Sequence, residues 1–108
     1  MNHPRPSDSR AGSHVNAMMK GSTVTVHVMG RFDFNCHRGF RHACEMFGDA
    51  QDYVVDLSGT EYLDSSALGM LLVLRDQVGS ANVRIVNCRP AVRRILEIAN
   101  FGSLFVLT

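Results

Sequence analysis

The stretch Tyr62–Leu72, YLDSSALGMLL, joins a short polar segment to a long apolar run. Asp and Ser are typical of a helix start, because their side-chain oxygens accept hydrogen bonds from free backbone N–H groups. The pattern predicts a helix from about Ser65 to Val78, with Ser65 as a capping serine. Since this helix is apolar on almost every side, we expect other elements to cover most of it and hold it at the centre of the fold.

Short segments on both sides of this helix have the composition of β-strands. Tyr53–Leu57 lies before it, and Val83–Asn87 and Leu104–Leu107 lie after it. Nearer the start of the chain, His14–Met19 and Thr23–Met29 flank a Lys-Gly-Ser turn, and the second segment alternates valines with polar residues. Because such alternation is typical of a strand with one buried face, the two segments predict an opening hairpin.

Two further helices are predicted from apolar residues at helical spacing. The first begins with Asn35 as its N-cap and ends at Gly48. Its apolar stripe consists of Phe40, Ala43, Cys44 and Phe47. The second has Pro90 in its first turn, where proline is tolerated, and extends to Asn100. The polar segment Ser58–Glu61 is predicted to be a loop.

The order of these elements indicates the fold class. A hairpin followed by alternating helices and strands implies right-handed crossovers and a sheet that is parallel after its first strand. A chain of this length covers only one side of the sheet well. We therefore expect an α/β two-layer sandwich, with a mixed, mostly parallel sheet and helices mainly on one face. Residues 14–108 form this domain, and residues 1–13, which contain two prolines and three serines, are predicted to be a flexible lead-in.

The composition excludes several classes of protein. The 108 residues are 45% hydrophobic and 19% charged, as in a single globular domain. A net charge of +1 gives no overall attraction to nucleic acid, so we expect no nucleic-acid partner. The longest apolar run is far shorter than the ~20 residues of a membrane helix, so we expect no direct membrane insertion. Without a Gly-x-Ser-x-Gly motif or a phosphate-binding loop, we expect no enzymatic activity.

The three cysteines are too few and too unevenly spaced for a disulfide framework. No secretory signal pattern is found at the N-terminus, so the expected location is the cytoplasm, with reduced thiols. Cys36 and Cys44 lie near His37 and His42, but they lack the short ligand pairs of a structural zinc site. We therefore predict no metal, and half-buried apolar roles for both cysteines.

An acidic segment precedes the apolar helix. Residues 49–64 have a net charge of −5 and contain no Lys or Arg. One explanation is that acidic residues favour helix N-termini and solvated loops. The other is that one end of the fold is an acidic surface that faces a partner.

The segment Asp64–Gly69, DSSALG, resembles the Asp-Ser-Ser-Gly-Leu-Gly signature of the STAS domain family, which joins sulfate transporters and anti-sigma factor antagonists. The resemblance covers most of the chain from Val15 onward. Val54–Leu57, Val83–Asn87 and Pro90–Leu96 match further landmarks in the same order. The resemblance implies a STAS-like sandwich.

The resemblance also implies a function. In the bacterial antagonists of this family, the serine directly after the motif's Asp is phosphorylated, and by position that residue is Ser65. The unmodified form would bind an anti-sigma factor or serine kinase and so release a sigma factor. Phosphorylation would end this binding, a PP2C-type phosphatase would reset it, and the domain would need no cofactor. The implied partner-binding residues are Asp33, Tyr62, Asp64, Ser65, Ser66, Ala67, Leu68 and Gly69. An exposed Phe32 or Phe34 would anchor the contact.

Physical chemistry supports a switch at this position. A phosphate adds about −1.5 to −2 charge, which a helix dipole and free N–H groups accept readily. Modification should therefore change the surface without unfolding the domain. The alternative implied by the family is a STAS adaptor subunit of a membrane-transport complex for lipid or sulfate.

Overall fold

The computed structural model describes residues 14–48, 50–79 and 82–108. The predicted lead-in, residues 1–13, lies outside the described residues. The strands are β1 (His14–Lys20), β2 (Thr23–Phe32), β3 (Asp52–Asp56), β4 (Thr60–Leu63), β5 (Asn82–Val86) and β6 (Val106–Leu107). The helices are α1 (His37–Glu45), α2 (Ser65–Gln77) and α3 (Pro90–Ile98). Two short 3₁₀ turns, Phe34–Cys36 and Phe101–Ser103, precede α1 and follow α3.

The six strands form one mixed sheet in the order β1-β2-β3-β5-β6, with β4 paired to the far end of β2. Among the strand pairs of the described residues, only β1–β2 is antiparallel, and the other pairs are parallel. In register, Val26 lies opposite Ala17 on one side and Val55 on the other, and Val55 lies opposite Ile85. This is the mostly parallel α/β sheet that the element order predicts.

The core lies on one face of the sheet. Val24, Val26 and Val28 are fully buried because alternate residues of a strand point to the same side. The same core cluster includes residues of all three helices, among them Phe40, Leu71 and Leu96. On the opposite face Met18, Met29 and Val106 are exposed. The helices therefore cover one face, which makes the fold a two-layer sandwich.

The segment 58–61, predicted to be a loop, contains the start of strand β4. Thr60 is fully buried, and its hydroxyl donates a hydrogen bond to the Val28 carbonyl oxygen at 2.6 Å. The Gly30 N–H donates to the Gly59 carbonyl oxygen at 2.9 Å. The loop prediction was wrong for Thr60 and Glu61, because a strand of four residues is defined by its pairing with β2, which local sequence does not show.

Several strand and helix ends differ from the predictions. Strand β2 continues to Phe32, across an irregularity in register between Gly30 and Arg31. Helix α1 ends at Glu45, three residues before Gly48. The closing strand is only Val106–Leu107.

Helix α2 is covered on one side, although its composition predicted burial on most sides. Ala67, Leu71 and Leu74 are buried, whereas Leu72 and Val73 are 41% and 55% exposed. The prediction was wrong because apolar composition does not determine how much of a helix other elements cover, and here Leu72 and Val73 are left uncovered. An apolar surface on α2 therefore remains open to solvent.

Candidate functional site

The pairing of β2 with β4 brings two aspartates together at one edge of the sheet. Phe32 lies opposite Leu63 in a parallel register, so the residues that follow them, Asp33 and Asp64, leave the sheet side by side. The Asp64 N–H donates to the Phe32 carbonyl oxygen at 3.4 Å. Each aspartate begins a helical turn, and the candidate site is built on these two turns.

Asp64 is the N-cap of α2. Its backbone is extended, and its Oδ1 accepts a hydrogen bond from the Ala67 N–H at 3.1 Å. The assignment of the cap to Ser65 was therefore wrong, since Ser65 is the first helical residue. A carboxylate also interacts favourably with the positive end of the helix dipole, so the aspartate is well suited to this position.

Ser65 has no structural task in the described part of the chain. Ser65 is exposed, and its hydroxyl makes no hydrogen bond to any residue that the structure describes. Ser66 is half-buried and its hydroxyl is likewise unbonded within the described ranges. The hydroxyl of Ser65 is thus open to solvent at the start of a helix of 13 residues.

Asp33 caps the neighbouring turn. Its Oδ1 accepts from the Asn35 N–H at 3.0 Å, and its Oδ2 accepts from Arg31 Nε at 3.3 Å. Asn35 is therefore not the N-cap that the sequence predicted, because it lies inside the 3₁₀ turn that precedes α1. The Arg31 guanidinium also lies 4.7 Å from the centre of the Tyr62 ring, which is 43% exposed. These contacts join the two turns.

Comparison with known proteins identifies the family of this domain. A family model described as "Mlab, STAS domain" matches residues 15–108. The chain belongs to the STAS family. A STAS-domain containing protein of Pseudomonas aeruginosa (strain UCBPP-PA14) is 50% identical to it over 91 residues, which cover 82% of this chain and 90% of that protein.

Solved structures share the fold of this STAS domain. An anti-sigma factor antagonist from Mycobacterium paratuberculosis superimposes with a TM-score of 0.80 at 22% identity, over 95% of this chain and 87% of that one. The unphosphorylated anti-sigma factor antagonist SpoIIAA has a TM-score of 0.70 at 17% identity, over 88% and 87%. The phosphorylated SpoIIAA of Bacillus has a TM-score of 0.64 at 16% identity, over 88% and 91%. At these identities the likeness shows a common fold.

Not every residue that the resemblance suggested lies at the surface of the STAS domain. Ala67 is fully buried, so its side chain packs in the core and is not available to a partner. Phe32 is also fully buried, with its ring centre 5.3 Å from that of Phe40. Phe34 is 68% exposed, so of the two phenylalanines only its ring is at the surface. Gly69 is exposed and Leu68 is half-buried.

The acidic segment does not form a single patch. Asp52 and Asp56 lie at opposite ends of β3, and Asp49 lies outside the described residues. Burial raises the pKa of Asp56, but hydrogen bonds from Ser58 and Asn87 and the nearby His27 outweigh it and lower the pKa below its ordinary value. Because Asp52 and Asp56 lie at opposite ends of one strand, the prediction of one acidic end was wrong. Of the acidic residues in this segment, Asp64 directly precedes Ser65 and lies beside Asp33.

A groove between α1 and α2 was missed by the sequence analysis. Its volume is about 440 Å³, and its lining includes Phe34, His37, Ser66 and Val73. The Phe34 and His37 rings stack with their centres 5.5 Å apart. Exposed apolar residues on α2 were the available signal, but the groove depends on how two helices pack.

The three cysteines are free thiols. Cys36 and Cys44 are buried, more deeply than predicted, and Cys88 is partly buried. Burial, with the nearby Glu45 carboxylate, raises the pKa of Cys44 to about 12. Across residues 14–48, 50–79 and 82–108, no group of three or more His, Cys, Asp or Glu side chains is arranged to hold a metal. None of the helices described is long and apolar enough to cross a membrane.

Proposed function

We propose that this STAS domain is an anti-sigma factor antagonist switched by phosphorylation of Ser65. In the unmodified form it binds an anti-sigma factor or serine kinase and so releases a sigma factor. The observation that supports this proposal is that two adjacent residues at the start of α2 have different roles. Asp64 makes the capping hydrogen bond, and Ser65 presents a hydroxyl that the described structure does not use.

The start of α2 can accept a phosphate without losing its structure. Ser65 is the first helical residue, where backbone N–H groups and the positive end of the dipole favour negative charge. The Asp64 cap would remain in place, because its oxygen bonds the Ala67 N–H and not the serine. Phosphorylation therefore acts on the surface of the domain.

The effect on a partner follows from charge and space. A phosphate adds about −1.5 to −2 charge beside the Asp64 carboxylate. It repels a partner's carboxylates and occupies space that a closely packed contact needs, and like-charge contacts at an interface cost several kcal/mol. The proposed contact face comprises Asp33, Tyr62, Asp64, Ser65, Ser66, Leu68 and Gly69, with Phe34 as its apolar anchor.

Several elements of the proposal come from the family. The solved structures that share the fold include anti-sigma factor antagonists, one of them in phosphorylated and unphosphorylated forms, and this supports the same class of function for this chain. The serine kinase would supply the ATP, and a PP2C-type phosphatase would remove the phosphate. The domain itself would be a cytoplasmic, non-catalytic binding protein without a cofactor.

Incubation with a candidate kinase and ATP, followed by mass spectrometry, tests the site. We expect one phosphate on the wild-type chain and on Ser66→Ala, and none on Ser65→Ala. Ser66→Ala is the matched control because it removes the neighbouring hydroxyl. Equal modification of Ser65→Ala would show that another residue is the acceptor.

A pull-down with the unmodified chain tests the partner class. We expect an anti-sigma factor or serine kinase to be retained by the wild type and released by Ser65→Asp. Retention of a transporter ATPase or permease, unaffected by Ser65→Asp, would instead establish the transport-adaptor alternative.

A further inference from the structure

The groove between α1 and α2 has the features of a binding surface. Its floor is apolar, and it is formed by Phe40, Cys44, Met70 and Leu74. On its rim, Phe34 and Val73 are 68% and 55% exposed. Exposed apolar side chains beside an apolar floor are typical of interaction sites, because water is released when a partner covers them.

The length and openness of the groove fit a helix. Ser66, Gly69, Val73 and Gln77 lie on successive turns along its α2 side. The distance along the helix axis from Ser66 to Gln77 is about 16 Å, because a helix rises about 1.5 Å per residue. A Cβ at Gly69 would have no heavy atom within 4 Å, so a partner can approach the α2 backbone there. The groove therefore accommodates about three turns of a second helix.

The charge of the lining indicates which helix fits. His37 and Arg41 line the α1 side, and no carboxylate is among the lining residues described. Arg41 Nε lies 3.2 Å from Glu45 Oε2, but both side chains are more than half exposed. An exposed pair of this kind is weak and exchanges readily for another carboxylate. Acidic residues are thus favoured on the side of the partner that meets α1.

We propose that this groove binds an amphipathic helix of a partner protein, with its apolar face on the groove floor and Asp or Glu residues opposite His37 and Arg41. Ser66, next to Ser65, lies at one end of the groove. A phosphate on Ser65 would repel the acidic flank of the bound helix, and this link alone rests on the proposed function.

Titration of the full chain with a synthetic peptide tests the groove. The probe is a 14-residue helical peptide with leucines at positions i, i+3, i+4 and i+7 and glutamates on one flank. A second peptide has lysine at each glutamate position. We expect amide NMR shifts on the facing sides of α1 and α2, with binding of the lysine peptide ~10-fold weaker. Equal binding of both peptides, shifts confined to other surfaces, or no binding at millimolar peptide would overturn the proposal.

Two pairs of substitutions distinguish binding of the peptide in the groove from a general effect of surface charge. Val73→Glu changes the groove rim, and Leu72→Glu makes the same kind of change at an exposed neighbour that does not line the groove. Arg41→Glu and Arg38→Glu form the second pair, since only Arg41 lines the groove. We expect each groove variant to bind the acidic peptide ~10-fold more weakly and each control to stay within about 2-fold of wild type. Equal losses in groove and control variants would overturn the proposal.

Two further measurements distinguish the possible outcomes. Sedimentation measures whether the chain forms a dimer through the groove. We expect no dimer of this kind. A dimer that Val73→Glu dissociates would show that the groove binds a second copy of the chain. Ser65→Asp should weaken the acidic peptide ~3-fold and leave the lysine peptide unaffected or strengthened. If the kinase leaves Ser65 unmodified while the acidic peptide still binds the groove, the proposed switch is wrong and the groove assignment stands.

Discussion

Two helical turns begin side by side at one edge of the sheet, and each is capped by an aspartate. Asp33 accepts from the Asn35 N–H at 3.0 Å, and Asp64 accepts from the Ala67 N–H at 3.1 Å. The two turns differ in the next residue. After Asp33 the chain presents Phe34, a largely exposed aromatic ring, and after Asp64 it presents the Ser65 hydroxyl.

This comparison distinguishes the residues expected to stabilise the fold from the residues proposed to bind a partner. In both turns the aspartate satisfies free backbone N–H groups, so its loss should weaken the fold. The following residue points to solvent, so its replacement should change binding and leave folding almost unaffected. The proposed apolar anchor, Phe34, and the proposed phosphorylation site, Ser65, therefore follow neighbouring caps of the same type.

The largest expected contrast is between the two phenylalanines at the first turn. Phe32→Ala should lower the free energy of unfolding by about 3–5 kcal/mol, because it leaves a cavity at a fully buried site. Phe34→Ala should change it by less than about 0.5 kcal/mol, since that ring is mostly in solvent. Urea denaturation measures both. Equal losses would mean that Phe34 is part of the core and is unavailable to a partner.

Removal of the α2 cap should have the next largest effect. Asp64→Ala should lower the free energy of unfolding by about 1 kcal/mol, because the Ala67 N–H loses its side-chain acceptor and keeps only the Asp64 backbone carbonyl oxygen, at 3.0 Å. Asp64→Asn is the matched control, as it keeps an oxygen acceptor and should cost less. An unchanged unfolding midpoint for Asp64→Ala would indicate that another group caps the helix.

The cap of the first turn should contribute less. Asp33→Ala should cost about 0.5 kcal/mol, because the 3₁₀ turn it caps has only three residues. The Arg31–Asp33 ion pair adds little, since the arginine side chain is 57% exposed. Thermal unfolding of Asp33→Ala and Asp64→Ala under the same conditions compares the two caps. A larger loss for Asp33→Ala than for Asp64→Ala would show that the first turn depends more on its cap than α2 does.

The smallest effect is expected at the serine. Ser65→Ala should leave the free energy of unfolding within about 0.5 kcal/mol of wild type, because no hydrogen bond of its hydroxyl to a described residue is lost. Ser66→Ala serves as the neighbouring control. A loss near 1 kcal/mol at Ser65 would show that its hydroxyl takes part in capping after all.

The main elements could be predicted because their signals are local. The alternating valines of β2 and the proline at the start of α3 each indicate one structure without reference to distant residues. Strand β4 could not be predicted, since four residues become a strand only by pairing with the end of β2. The groove also depends on tertiary packing, because its two sides are separate helices.

Within the candidate site, the sequence located the start of α2 but did not show which residue caps it. Asp64 and Ser65 are both good capping residues, and only the backbone geometry decides between them. The exposure of Phe34 and the burial of Phe32 likewise depend on the register of β2, which changes between Gly30 and Arg31. Local sequence does not determine that register shift.

The most direct test of the account is a chain carrying phosphoserine at position 65, incorporated during synthesis so that no kinase is needed. Amide NMR shifts relative to the unmodified chain should be confined to the start of α2 and the adjoining turn after β2. The melting temperature should stay within about 3 °C, which corresponds to well under 1 kcal/mol for a domain of this size. Shifts that extend to Val26 and Val55 in the core, or a fall of more than about 10 °C, would contradict it.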